Sequence, residues 1–239
     1  MRFSVIIPAH NEEKLIGGCL DSITEAGKPF RGDVEVIVAI NRCLDRTEEI
    51  ARGCGALVTF EDARNLAGIR NAGAKMASGD IIVTIDADSR MSPNALIEID
   101  RALASGAFIG GGVVTRFERM SPGIFVTAVL IVLVMFPLLV WQRLSGGLFW
   151  CYRKDFEAIG GFDERLVSAE DIDFAKRLKT WGKKQGKRFK TLWHVHIITS
   201  CRKFDQLGDW YIVRNPRLLW TLNRGKDQEA AGRYYYDAR

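Results

Sequence analysis

The sequence predicts an α/β protein built on a mostly parallel sheet with helices on both faces, and three observations carry that expectation. Short apolar runs alternate with helix-period segments through the first hundred residues. The runs F-S-V-I-I-P, V-E-V-I-V-A-I, A-L-V-T-F and I-I-V-T-I are continuously apolar, as strands buried on two sides are. The last of them stops abruptly on Asp86 and Asp88. In open parallel sheets, ligands bind beyond the carboxyl ends of the strands, which is where those two acids fall.

Pro8 ends the first run, and Leu15, Ile16, Cys19, Leu20 and Ile23 then form the stripe of an amphipathic helix. A second strand over Val34 to Ile40 leads to a helix over Thr47 to Gly53. The third strand precedes a helix from about Leu66 to Ala77, whose exit is marked by Ser78-Gly79. After the fourth strand, Ser92-Pro93 reads as a Ser N-cap with Pro at the first helical position. From Met120 to Gln142 there is no charge, and Arg119 and Arg143 bracket the stretch. Its length would suffice for a bilayer, which needs about 20 apolar residues. A single crossing, however, would put Asp88 and everything after Arg143 on opposite sides of the membrane. Three arrangements stay open: a buried helix, a hairpin bent at Pro137, or a segment lying in the membrane interface. L-F-W-C-Y then predicts a strand, with a short helix from Lys154, a turn at Gly160-Gly161-Phe162-Asp163, and a helix over Ser168 to Lys184. The expected division is 1–117, an apolar helical insertion at 118–145, a second half at 146–224, and a tail at 225–239.

The chain of 239 residues is 47% hydrophobic and 26% charged, a globular composition able to bury a large core. Five cysteines without a C-x-x-C pair argue against a disulfide framework or zinc site and suggest a reducing, cytoplasmic setting. The apolar run before Pro8 and His10 is too short for a secretory signal. Residues 1–142 hold 14 Lys/Arg against 17 Asp/Glu, and residues 143–239 hold 20 against 12. That basic second half suits an anionic partner or simply solvated faces, and no nucleic-acid module is visible.

Two clusters could carry chemistry. Asp86 and Asp88 face one way on an extended chain, with Ala87 opposite, and paired carboxylates suit a hard divalent cation and hence a diphosphate. The plain alternative is a strand-end turn whose acids cap the next helix. Ser168-Ala-Glu170-Asp171-Ile-Asp173 reads either as a capping box, with Ser168 as the cap and Asp171 as its N3 partner, or as a general base at a helix N-terminus. His194 and His196, in W-H-V-H-I, share a strand face and are either satisfied strand histidines or a further metal ligand.

The order and spacing of several segments resemble family-2 inverting glycosyltransferases of the GT-A fold. They are V-I-I-P-A-H-N-E-E (5–13), V-I-V-A-I-N-R-C-L-D-R-T (36–47), R-N-L-A-G-I-R-N-A-G (64–73), A-S-G-D-I-I-V-T-I-D-A-D-S (77–89), F-E-A-I-G-G-F-D-E-R-L-V-S-A-E-D-I-D-F-A-K-R-L (156–178) and T-S-C-R-K-F (199–204). The resemblance implies that Pro8, Ala9, Asn11 and Glu12 line the nucleotide pocket with Asn41 and Asp45, although many relatives carry Asp where Asn41 stands. It implies that Arg70 approaches the nucleotide or its phosphates, that Asp86 binds ribose or sugar, and that Asp88 ligates Mg²⁺ or Mn²⁺, with His196 the preferred further ligand. Asp171 would deprotonate the acceptor hydroxyl, with Glu170 orienting the acceptor. Arg202, beside Lys203, would stabilise the leaving diphosphate. The Q-x-x-R-W motif of membrane-processive relatives is absent, against a polymer synthase. The implied partners are a nucleoside-diphosphate sugar and a hydroxyl acceptor. With the apolar stretch, they suggest a lipid-linked acceptor and peripheral membrane association. The rivals are a haloacid-dehalogenase-like phosphatase, suggested by the D-x-D-S run, and an inactive nucleotide-binding module.

Overall fold

The computed structural model describes residues 2–136, 147–166 and 169–215. The predicted alternation is realised as β1 (Phe3–Ala9), α1 (Ile16–Gly27), β2 (Val34–Ile40), α2 (Thr47–Gly53), β3 (Leu57–Phe60), α3 (Leu66–Met76) and β4 (Ile81–Ile85). There follow β5 (Ser89–Met91), α4 (Ala95–Ala104), β6 (Phe108–Phe117), α5 (Pro122–Phe136), β7 (Leu148–Tyr152), α6 (Arg153–Ala158), α7 (Glu170–Lys184), β8 (Arg188–Thr199), α8 (Arg202–Leu207) and α9 (Tyr211–Arg214). Among the described residues one sheet runs in the order β3-β2-β1-β4-β7-β6-β8-β5.

The first four strands are parallel, β1 lying between β2 and β4. β7 enters antiparallel between β4 and β6, and the short β5 pairs antiparallel with the outer end of β8. The chain reverses its direction of winding at β1, so the crevice beyond Ala9 and Ile85 is the topological switch point where such sheets take ligands. Both faces are buried. On one, Ile16, Cys19, Leu20 and Ile23 of α1 and Leu96, Ile99 and Leu103 of α4 pack against Phe3, Val5, Ile7 and Val83. On the other, Phe156, Phe162, Phe174 and Leu178 pack against Ile6, Ile82 and Phe149. Phe162 and Phe174 stack with centroids 4.3 Å apart, and Phe149 meets Phe174 edge-on at 5.4 Å. This aromatic wedge seats the start of α7 against the sheet.

The structure shifts several expected boundaries. Ser92 does not cap α4: Asn94 precedes the helix, and the Ser92 hydroxyl accepts the His196 N–H instead, at 3.3 Å. An edge strand competing for that oxygen outweighs the local capping signal. Ser168 lies outside the described residues, and the residue flanking α7 is Ala169, in the left-handed conformation at φ 59°. The apolar stretch begins as α5, about 22 Å long at 1.5 Å per residue. No helix among the described residues is long and apolar enough to cross a membrane. The bend expected at Pro137, the end of the insertion and the tail from 216 onward lie outside the described residues. So α5 is not a core helix along its described length: Ile124 and Thr127 are buried, while Phe125, Val129, Val132 and Leu133 are exposed. Its start is anchored by Arg119, which donates to Asp205 at 2.6 Å and to Asp209 at 2.8 Å and 3.0 Å.

Candidate active site

The site begins where β1 ends. Pro8 and Ala9 are buried in register with Ala39 and Ile40, and the Asn41 N–H donates to the Ala9 carbonyl at 2.8 Å. Asn11 turns the chain away with φ 52°, and its Oδ1 accepts the Leu44 N–H at 2.9 Å. Asp45 accepts from the Glu13 N–H at 3.0 Å and from the Thr47 N–H and hydroxyl at 3.0 Å and 2.5 Å. Burial works to raise its carboxyl, but those hydrogen bonds, led by Thr47, hold it below the usual carboxylate value. The loops after β1 and β2 are thereby locked together.

Asn41 is fully buried, and its amide donates to the Glu61 carbonyl at 2.5 Å and the Ala63 carbonyl at 2.9 Å. The amide holds the loop after β3, work that a carboxylate, having no donor, cannot do. That is a physical reason for Asn at this position.

Glu12 is buried, and Arg202 reaches it from the start of α8 with a two-pronged contact of 2.7 Å and 2.9 Å. The same guanidinium comes within 3.9 Å of Asp88. Asp88 lies opposite Ser200, whose N–H donates to the Asp88 carbonyl at 3.0 Å and whose hydroxyl stands 3.4 Å from Oδ2. Arg202 and Asp88, 114 positions apart in sequence, thus meet at the mouth of the crevice.

Arg70 is the centre of the site. Projecting from α3, it is 2% exposed; its Nη2 donates to Asp86 at 2.8 Å and its Nη1 to Glu170 at 3.1 Å and Asp171 at 2.6 Å. The two halves of the chain therefore also meet at this guanidinium, whose described hydrogen-bond partners are carboxylates. The sequence assigned Arg70 to the nucleotide, and nothing in its spacing to Glu170, a hundred positions on, could reveal this cluster. Asp171 keeps 30% of its side chain exposed and Glu170 only 10%. The first is reachable from solvent and the second faces inward. Burial chiefly, reinforced by Asp171 and opposed by Arg70, pushes Glu170 up to about 7. Burial also raises Asp171, with Asp86 acting in the same sense and Arg70 pulling back.

His196 is not brought to Asp88. The Ser92 N–H donates to its carbonyl at 2.9 Å, four positions along β8 from Ser200 and so about 13 Å from it at strand spacing. His194 holds Glu98 of α4 at 2.9 Å, as a satisfied strand histidine would. Among the described residues no group of three or more His, Cys, Asp or Glu is arranged to hold a metal ion. The donor set therefore fits a different kind of site. A hard cation such as Mg²⁺ or Mn²⁺ is commonly held by one or two carboxylates together with substrate phosphates, and Asp88 at the crevice mouth could offer one such oxygen.

Comparison with known proteins agrees with this frame. The family model described as glycosyl transferase family 2 matches residues 4–122. Glycosyltransferase AglE of Haloferax volcanii is 26% identical over 237 residues, covering 92% of this chain and 75% of its own. The mannosyltransferase PcManGT from Pyrobaculum calidifontis, solved with GDP-Man and Mn²⁺, superposes with a TM-score of 0.66 at 22% identity, over 99% of this chain and 74% of that one. Residues 1–349 of S. aureus TarS, solved with UDP-GlcNAc, give 0.63 at 17% identity, over 100% and 71%. Against the longer TarS chain, this protein spans 43% of the length. Those likenesses establish the GT-A fold, and the phosphatase reading of D-x-D-S finds no match among them. With carboxylates gathered at the switch point of such a sheet, the chain belongs to glycosyl transferase family 2 and is a glycosyltransferase.

Proposed function

We propose that the protein is a metal-dependent, inverting transferase that moves a sugar from a nucleoside-diphosphate sugar to an acceptor hydroxyl presented at a membrane surface. The observation that carries the reading is the pairing of Asp86 with Asp171 through Arg70, which sets a donor-side and an acceptor-side carboxylate in one crevice.

The nucleotide occupies the crevice lined by Pro8, Ala9, Asn11, Glu12, Asn41 and Asp45, and Asp86 takes a hydroxyl of the ribose or donor sugar. A Mg²⁺ or Mn²⁺ ion held by Asp88 and the diphosphate would supply neutralisation of the leaving group. Arg202, close to Asp88, adds a cation that can turn toward the same phosphates. Asp171 removes the acceptor proton as the acceptor oxygen bonds to the anomeric carbon. The bond from that carbon to the diphosphate oxygen breaks, and its electron pair leaves with the nucleotide. One base and a single displacement invert the configuration. Glu170, turned inward, supports Asp171 instead of touching the acceptor.

The exposed face of α5 favours a lipid-linked acceptor and peripheral attachment at the inner face of the cell membrane. Phe125, Val129, Val132 and Leu133 are 59%, 41%, 48% and 62% exposed and share one face of the helix.

Thermal melts in a panel of nucleotide sugars that includes UDP-GlcNAc and GDP-mannose, with and without Mn²⁺, test the donor reading. A ligand that binds only the folded state raises the midpoint. The expected result is a rise for one nucleotide class that requires Mn²⁺ and disappears with a chelator. No stabilisation by any member of the panel would overturn it.

A further inference from the structure

We propose that Arg70 is the positioning residue of the site: from beneath, it fixes the orientation of Asp171 and its spacing from Asp86, and so sets acceptor base against donor. The inference rests on the reading of Asp171 as the base.

Arg70 is held by an aromatic ring as well as by carboxylates. Its Cζ lies 5.1 Å from the centre of the Phe162 ring, which Phe149, Phe156 and Phe174 in turn pack against. The next residue on α3, Asn71, exchanges hydrogen bonds of 2.9 Å with both the N–H and the carbonyl of Phe162. Helix α3 is thereby pinned to the turn at Phe162 that precedes α7. The planar fork is what makes the geometry possible, because one nitrogen serves Asp86 while the other serves Glu170 and Asp171. A lysine ammonium is a point charge and cannot span the same partners.

The charge count gives Arg70 a second consequence. Three carboxylates face one guanidinium: Asp86 from the end of β4, and Glu170 and Asp171 from α7. A surplus of buried negative charge is relieved by keeping a proton, and Glu170, the least exposed of the three, holds it up to about pH 7. Arg70 is then shared between two aspartates. Among the groups around Asp171, it is the cation that pulls the carboxyl down against burial and Asp86, toward the form a general base needs.

The test is a ¹³C NMR titration of the side-chain carboxyls in the full chain, alongside transfer kinetics, for wild type, Arg70→Gln, Arg70→Lys, Glu170→Gln and Asp171→Asn. In wild type, one carboxyl titrates near 7, and it vanishes in Glu170→Gln. In Arg70→Gln the Asp171 titration moves upward by at least a tenfold change in proton affinity. Arg70→Lys keeps the charge, and carries the test if Arg70→Gln does not fold. Its turnover falls about 100-fold, the scale of a misplaced reacting group, while KM for the donor holds. The inference is overturned if Asp171 titrates unchanged in Arg70→Gln, if the carboxyl near 7 survives Glu170→Gln, or if Arg70→Lys turns over at the wild-type rate. Activity that survives Asp171→Asn would instead overturn the base assignment, leaving the titrations to judge the cluster.

Discussion

Asp171 and Glu170 are neighbours of the same chemical type, and environment separates them. Asp171 is three times as exposed and takes the shorter contact with Arg70, at 2.6 Å against 3.1 Å. Asp171→Asn should lower transfer by about 10² to 10⁴, the usual contribution of a general base, with stabilisation by the donor nucleotide retained in the melting assay. Glu170 affects stability in the opposite sense to most acids. Its folded value of about 7 lies above the ordinary 4.5, so the folded state keeps a proton that the unfolded chain releases. The stability it contributes is complete below about pH 4.5 and is lost as pH rises through 7. Melting midpoints from pH 5 to 8 should therefore fall in wild type relative to Glu170→Gln. Asp88→Asn should abolish the Mn²⁺-dependent part of the donor's thermal shift.

At the scale of elements, the second half of the sheet depends on close strand approach. Gly110, Gly111 and Gly112 of β6 lie between β7 and β8, and a Cβ on Gly111 would run into the Lys190 carbonyl and stand 2.6 Å from the Trp150 ring. Neither neighbour is the free end of a flexible chain, so Gly111→Ala should destabilise by about 1–3 kcal/mol or more, read from denaturant midpoints. Local pattern identified β1 to β4, β7 and the helices between them because each is a continuous run with a stop signal. β6 was not legible, since its glycine-rich centre lacks the branched residues that mark a strand. The start of α7 was read from Ser168 as a capping box, yet Ala169 flanks the helix at positive φ, a conformation costing an alanine about 1–2 kcal/mol. Packing of Phe162 and Phe174 beneath the helix overrides that local preference.

At the scale of the whole molecule, α5 carries an apolar exposed face, and its base is tied down by Arg119 to Asp205 and Asp209. If that face meets lipid, Phe125→Glu with Leu133→Glu should abolish co-sedimentation with anionic vesicles while leaving the melting midpoint near wild type. Both side chains are exposed, so neither charge enters the core. Retained sedimentation would remove the membrane reading.

The sequence by itself determined the α/β class, the order of most elements, the family, and the acids that matter, because apolar periodicity and the spacing of short motifs are local properties of the chain. Tertiary structure alone decided which of those residues meet. It made Arg70 the joint between Asp86 and Asp171, kept His196 about four residues of strand away from Asp88, and committed Asn41 to the loop at Glu61 and Ala63. Strand register and helix packing set those encounters across separations of up to a hundred residues, and no local pattern encodes a distance of that kind.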